Sequence, residues 1–329
     1  MLDPTPIFVH AWWRSSSTYV WLKLRENPSL CCYYEPLHEM LASLNKELAT
    51  KGLKPEFSRA MRHPVPERNY YSEYFELPTS SVHLYSPKLA YDRYLLRASD
   101  SDPALLAYLS GLMTSALQAG RRPVLCFCRS QMRSAWMKRQ FGGIHIAQIR
   151  NPISQWSSFL IGPYFTRTMI GLGLKLLRAY PGAFAHIHGF DERARAFDEN
   201  PGGAPPLTIS AADALRLFLL LWIASSLQAV AQADRVIDVD LLSTDASYRA
   251  ALSQWFETIG CAVDFSDCAT PGAEAPQWGA DLRLLIDEAV HAIRTHAACL
   301  VSEDPDAIRS RLPQLSPSNR AILQGVIGP

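Results

Sequence analysis

The sequence predicts an α/β protein, a single domain with a central parallel sheet of about five strands flanked by helices. Three observations predict it. Five short apolar runs rich in β-branched and aromatic residues read as buried strands: Pro6–His10, Ser29–Tyr34, Val124–Cys128, Ile144–Ile149 and Val236–Val239. Longer segments of helical period separate them, which is the pattern of parallel strands joined by crossover helices. Two of the runs end in a basic residue and hydroxyls and then turn into a helix: FVHAWWRSSST at Phe8–Thr18 and HIAQIRNPISQWSS at His145–Ser158.

The bulk composition fits this class. The chain has 329 residues, of which 48% are hydrophobic, enough for a sizeable core and too many for general disorder. Lys and Arg (32) nearly cancel Asp and Glu (31), so the basic excess of a dedicated nucleic-acid or membrane-surface binder is missing. The seven cysteines include a Cys31–Cys32 pair and a CxC at Cys126 and Cys128. Neither spacing makes a zinc site, and both read as small apolar strand residues kept reduced in a cytoplasm. The start, MLDPTP, lacks a signal pattern, and Leu215–Ala224 is broken by Arg216 and too short to span a bilayer. The expectation is a soluble, cytoplasmic protein with no transmembrane segment and no metal.

Taken in order, the first strand leads into a turn at Arg14–Thr18 and a helix beginning at Tyr19–Leu24. The second strand ends in CCYYEPLHEM. Tyr70–Asp102, rich in Tyr, Pro and Ser, reads as a substrate-facing excursion or an irregular connection. The third strand runs into CFCRSQMRSAW, where Arg129 and Arg133 either line a ligand site or begin a solvated helix. The fourth strand runs into Arg150, Asn151 and Pro152, with Pro152 suited to the first helical position. Asp198–Pro206 and Ala269–Gln277 read as surface loops. His186 and His188 have no acidic companion and so make a poor metal site. Ser210–Ala233 reads as an amphipathic helix capped by Ser210, with Leu215, Phe218, Leu219 and Trp222 on one face covering the core.

The two strand-to-helix turns carry the chemistry. Amide N–H groups and the helix dipole at such a turn attract anions, and an arginine in each suggests a ligand with two separated anionic groups. The first turn is not a Walker A loop, because it lacks glycine and has Arg14 in place of the lysine. RSSST instead resembles the 5′-phosphosulfate loop, [RK]SG[ST][ST], of sulfotransferases that use 3′-phosphoadenosine 5′-phosphosulfate (PAPS). Arg14, Ser15, Ser17 and Thr18 match, and Ser16 stands where glycine is usual. A positive φ at Ser16 would cost about 1 kcal/mol relative to glycine. The family's 3′-phosphate pattern, R-x-P-x(5)-S, is matched by Arg150, Pro152 and Ser158. Asp234–Leu242 resembles its YEDL-like strand, with Asp240 structural. The likeness spans roughly residues 6–260, and residues 279–329 read as a helical C-terminal extension.

The resemblance implies a P-loop nucleotide-binding fold, with Arg14, Ser15, Ser16, Ser17, Thr18, Arg150 and Ser158 on the nucleotide. It implies sulfuryl transfer from PAPS to an acceptor hydroxyl. EPLH, just past the second strand, is similar to the corresponding element of carbohydrate sulfotransferases and points to a glycan or glycolipid acceptor. Glu35 or His38 would be the general base, with Glu35 preferred; otherwise Glu35 caps the next helix and His38 lies on its polar face. The alternatives are a P-loop small-molecule kinase, which needs ATP and magnesium, and a non-catalytic nucleotide-binding protein.

Overall fold

The computed structural model describes residues 5–45, 47, 69–76, 81–160, 163–184, 210–268, 280–297 and 304–328. The chain is α/β, with a five-stranded, all-parallel sheet flanked by helices. Where the sequence reading has a single domain, the chain divides into two compact units. Met1–Arg150 with Gln232–Pro271 form the first, and Asn151–Ala231 with Gly272–Pro329 form the second.

The first unit holds every strand. These are β1 (Ile7–His10), β2 (Leu30–Tyr34), β3 (Arg122–Phe127), β4 (Ile144–Ile149) and β5 (Arg235–Asp238), within a residue or two of the expected runs. Helix α1 (Ser17–Arg25) follows β1, α2 (Pro103–Gln118) precedes β3, and α3 (Ser134–Phe141) links β3 to β4. The sheet order β2-β3-β1-β4-β5 puts β1 at the centre. The chain leaves β1 toward β2 and leaves β4 toward β5, in opposite directions. The order thus reverses between β1 and β4, and open α/β sheets generally bind ligands at the carboxyl ends of strands at such a reversal.

Nearly every strand residue is buried, which is why the strands read as continuous apolar runs instead of alternating ones. Cys31, Cys32 and Cys126 serve as small strand residues, and none of the described cysteines forms a disulfide. Trp21 fixes α1 to the sheet: its indole N–H donates to the Cys32 carbonyl at 2.8 Å, and its ring stacks on Tyr70. Burying that side chain contributes up to about 5 kcal/mol. The excursion after β2 is held by a buried two-pronged ion pair from Arg25 to Glu73, at 2.6 and 3.1 Å. It forms short helical turns at Glu73–Glu76, Ser81–Leu84 and Lys88–Tyr91.

The second unit, among the described residues, is helical: α4 (Pro152–Phe159), α5 (Pro163–Ala179), α6 (Ala211–Gln232), and later α9 (Ala280–His296), α10 (Pro305–Arg311) and α11 (Pro317–Ile327). Between them in sequence, α7 (Val239–Thr244) and α8 (Ala246–Thr258) belong to the first unit. Ser210 caps α6 as expected, its hydroxyl accepting from the Asp213 N–H at 3.0 Å.

Two expectations about α6 need correcting. Every residue from Leu217 to Leu227 is buried, so the helix is enclosed on all sides and not amphipathic. At 22 residues it is also long and apolar enough to cross a membrane by length and composition, although 78% of its most apolar window is buried inside the protein, as in a core helix. The loops Asp198–Pro206 and Ala269–Gln277, and His186 and His188, lie outside the described residues.

Candidate functional site

Because all five strands are parallel, their carboxyl ends share one edge of the sheet. Arg14–Thr18 follow β1, Glu35 and His38 follow β2, Arg129 follows β3, and Arg150 follows β4. Three non-glycine residues among those described take positive φ, namely Arg14 (64°), Ser16 (64°) and Glu35 (42°), and all three sit on this edge. Each such conformation costs about 1 kcal/mol or more and persists only where contacts over-determine it.

The β1 loop is a tight turn. Ser15 donates to the Trp12 carbonyl through both its amide (3.3 Å) and its hydroxyl (2.6 Å). This corrects one expectation, since the Ser15 hydroxyl proton is spent inside the loop and cannot be offered to a phosphate. Ser17 Oγ lies 3.1 Å from Cys128 Sγ, and Thr18 Oγ1 lies 3.0 Å from the Tyr34 hydroxyl. The Ser17 hydroxyl can accept from its neighbour and still donate outward. Helix α1 begins at Ser17, two residues before the expected start, with Ser16 in the left-handed N-cap conformation. Ser16 makes no side-chain cap, and among the described residues nothing accepts from the Ser16 or Ser17 amide. Those two N–H groups sit at the positive end of α1, where helix termini attract anions.

Arg150 reaches this loop from β4. Its Nη1 donates to the Arg14 carbonyl at 2.8 Å, so the two segments singled out in the sequence meet. Burial lowers the Arg150 pKa from its ordinary value, and the Asp240 carboxylate pushes the other way. At β5 the capping residue is Asp238, which accepts from the Asp240 and Leu241 amides. After Arg150 the arrangement departs from expectation. The amides at the start of α4 do not point at an anion, because Asn151 Oδ1 accepts from Ile153 N (2.9 Å) and Ser154 N (3.3 Å). Pro152 does take the first turn of that helix, and Ser158 lies half-buried on α4 in the second unit.

The β2 end is organised around Arg129. Its Nη1 donates to Glu35 Oε2, and its Nη2 donates to Glu39 Oε2 at 2.7 Å and to the Tyr91 hydroxyl at 3.2 Å. The guanidinium lies 5.1 Å from the Trp13 ring centre and 5.3 Å from that of Tyr91. Burial, the largest single influence, would raise the Glu35 pKa, but the Arg129 charge and hydrogen bond together with the nearby His38 outweigh it and hold the carboxyl below its ordinary range. Glu35 is thus a buried, paired carboxylate and not the helix cap. The cap is His38, whose Nδ1 accepts from the Met40 N–H at 3.1 Å and lies 3.6 Å from Glu39 Oε2.

Arg133, beside Arg129 in sequence, is no solvated helix start either. It is buried and donates to the Leu89 and Ala90 carbonyls, and burial brings its pKa down to about 10. Strand spacing explains Arg129's centrality. Neighbouring strands lie ~4.8 Å apart, so Glu35, just past the end of β2, is about 10 Å from the line of β1, and β3 fills the gap.

Below the edge runs a buried hydrogen-bond chain across β3, β1 and β4. Ser130 Oγ lies 2.7 Å from His10 Nδ1, His10 Nε2 lies 2.9 Å from His145 Nδ1, and His145 Nε2 lies 2.8 Å from the Gly142 carbonyl. That carbonyl can only accept, which fixes both tautomers: each ring donates through Nε2 and accepts through Nδ1. No protein-family model, no curated protein and no solved structure matches the chain.

Proposed function

We propose that this protein is a sulfotransferase. Its first unit, of the P-loop nucleotide-binding type, takes PAPS as donor and passes the sulfuryl group to a hydroxyl of a carbohydrate or glycolipid. The observation that carries the reading is the meeting of the two anion segments on one sheet edge, with Arg150 bonded to the Arg14 carbonyl beside the Ser16 and Ser17 amides. The central position of β1, with its loop entering a helix, supports the P-loop assignment. The reading rests on first-unit residues alone.

In the proposed reaction the S–O bond to the 5′-phosphate breaks and an S–O bond to the acceptor oxygen forms. Adenosine 3′,5′-bisphosphate and the acceptor's proton are released. Positioning and charge stabilisation supply the rate, as in phosphoryl transfer. The amides of Ser16 and Ser17, with the Ser17 and Thr18 hydroxyls, hold the 5′-phosphate. Arg14 offsets charge on the transferring group, and Arg150 meets the 3′-phosphate. The geometry favours His38 over Glu35 as base, reversing the order preferred from sequence. Glu35 is committed to Arg129, whereas His38 takes a proton at Nδ1 by giving up the Met40 N–H, and Glu39 Oε2, 3.6 Å away, then faces the protonated ring.

Calorimetry with adenosine 3′,5′-bisphosphate against 5′-AMP tests the reading. Losing the charge-assisted contact to the 3′-phosphate costs about 1.5–3 kcal/mol, or roughly 10- to 150-fold in affinity. Equal affinities would overturn the two-anion assignment. Preference for ATP with magnesium over both nucleotides would point to a kinase instead.

A further inference from the structure

We infer that Gln148, in the interior of β4, is the positioning residue that aims the anion loop's Ser16 amide outward; the inference rests on the anion-binding reading of that loop. Gln148 Nε2 donates to the Ser15 carbonyl at 2.6 Å, and both residues are buried. A trans peptide holds its C=O and N–H in opposite directions. Pulling the Ser15 carbonyl toward β4 therefore turns the N–H of the same peptide unit, that of Ser16, away from β4. No acceptor among the described residues meets that N–H. Arg150, two residues on and just past the end of β4, holds the preceding carbonyl, Arg14 O. The N–H of that preceding unit is already taken by Trp12, which leaves the unit set by Gln148 as the one presented to a ligand.

A second observation says why an amide stands here at all. Gln148 Oε1 is buried and has no hydrogen-bond partner. An unsatisfied buried carbonyl is destabilising, and a methionine or leucine would fill similar space without it. The residue's one side-chain bond, to the loop carbonyl, is what offsets that cost. Ser16 supplies the complementary strain: in the left-handed region without glycine's freedom, it needs an outside contact to stay there.

The test follows the Ser16 amide by NMR in isotope-labelled full-length protein, with adenosine 3′,5′-bisphosphate as probe, beside calorimetry. In the wild type the Ser16 amide proton should move strongly downfield at saturation, while that of Ser15, bonded to Trp12, moves little. In Gln148→Met, and in Gln148→Leu, affinity should fall by about tenfold or more well below the melting temperature, with the Ser16 shift lost. Near-wild-type affinity in a folded variant, with the Ser16 shift retained, would overturn the positioning role and leave the proposed function standing. If both variants fail to fold, the wild-type titration still decides, because saturation without a Ser16 shift overturns the inference. A wild type that does not bind the nucleotide refutes the proposed function and this inference with it.

Discussion

Replacing Glu35 by glutamine separates a catalytic carboxylate from a structural one, because the side chain keeps its size and loses only its charge. Arg129 is 1% exposed and Glu35 10% exposed at the side chain, so the pair sits where solvent screens little. Removing one unit charge about 4 Å away, at an effective dielectric of about 20, forfeits roughly 4 kcal/mol. The glutamine carbonyl still accepts from Arg129 and retains about 1 kcal/mol. Glu39 also remains on Nη2 at 2.7 Å, so the guanidinium is never left without a counter-charge. The expected loss is ~3 kcal/mol, the low end for breaking a buried ion pair.

Urea denaturation of the wild type and Glu35→Gln, across pH, measures it. The folded Glu35 pKa lies below the unfolded one, so its stabilisation is present above the unfolded value, about 4.3, and is lost as pH falls through the folded value. The difference between the two proteins should therefore be full near neutrality and shrink below about pH 4.3. A difference under about 1 kcal/mol at pH 7 would refute the structural assignment. Stability close to wild type combined with lost sulfation would return Glu35 to the role of base.

Two further outcomes follow from the same edge and the chain of hydrogen bonds beneath it. Burial, reinforced for His10 by its His145 neighbour, lowers both histidine pKa values, that of His145 to about 4, so both are neutral in the fold. Their contribution is fully present above the unfolded value near 6.5 and lost as pH falls toward the folded values. The urea midpoint should drop between about pH 6.5 and 4, and a His10→Gln/His145→Gln double variant should flatten that slope; an equal slope in both proteins would remove the pair as the cause. At the loop, Ser16→Gly should be at least as stable as wild type and Ser16→Val at least ~1 kcal/mol less stable, by thermal denaturation, and the reverse order would mean that Ser16 is not left-handed.

The strands were legible because burial on both faces leaves no alternation to misread, and β-branched and aromatic residues mark their lengths. The meeting of Arg14 and Arg150 was legible for the same reason: parallel strands put every loop that follows one on a common edge. Arg129 was not. A lone arginine after a strand looks alike whether it faces solvent or a buried carboxylate, and only the order β2-β3-β1 places it between Trp13 and Glu35. Side-chain hydroxyls misled in a similar way. RSSST offers four of them to an anion, but local geometry decides which proton is spent within the loop, and Ser15 spends its own on Trp12. The Asn151 cap did have a readable signal, an asparagine directly before a proline at a helix start.

Under the proposed function, the charges on this edge leave geometry, more than charge count, to select the ligand. Arg129 is matched by Glu35 and Glu39, Arg133 donates to the Leu89 and Ala90 carbonyls, and Arg150 feels Asp240. These cations were desolvated and ordered when the protein folded, so an arriving anion does not have to order them. What remains directional is the pair of amides at Ser16 and Ser17, aimed by a strained turn whose carbonyls β4 holds from behind. A tetrahedral anion that places one oxygen near 3 Å from both N–H groups satisfies that turn, and an anion with its charge elsewhere leaves two dipoles unmet. The strain at Arg14, Ser16 and Glu35 is then the cost of keeping the edge in one shape before the ligand arrives.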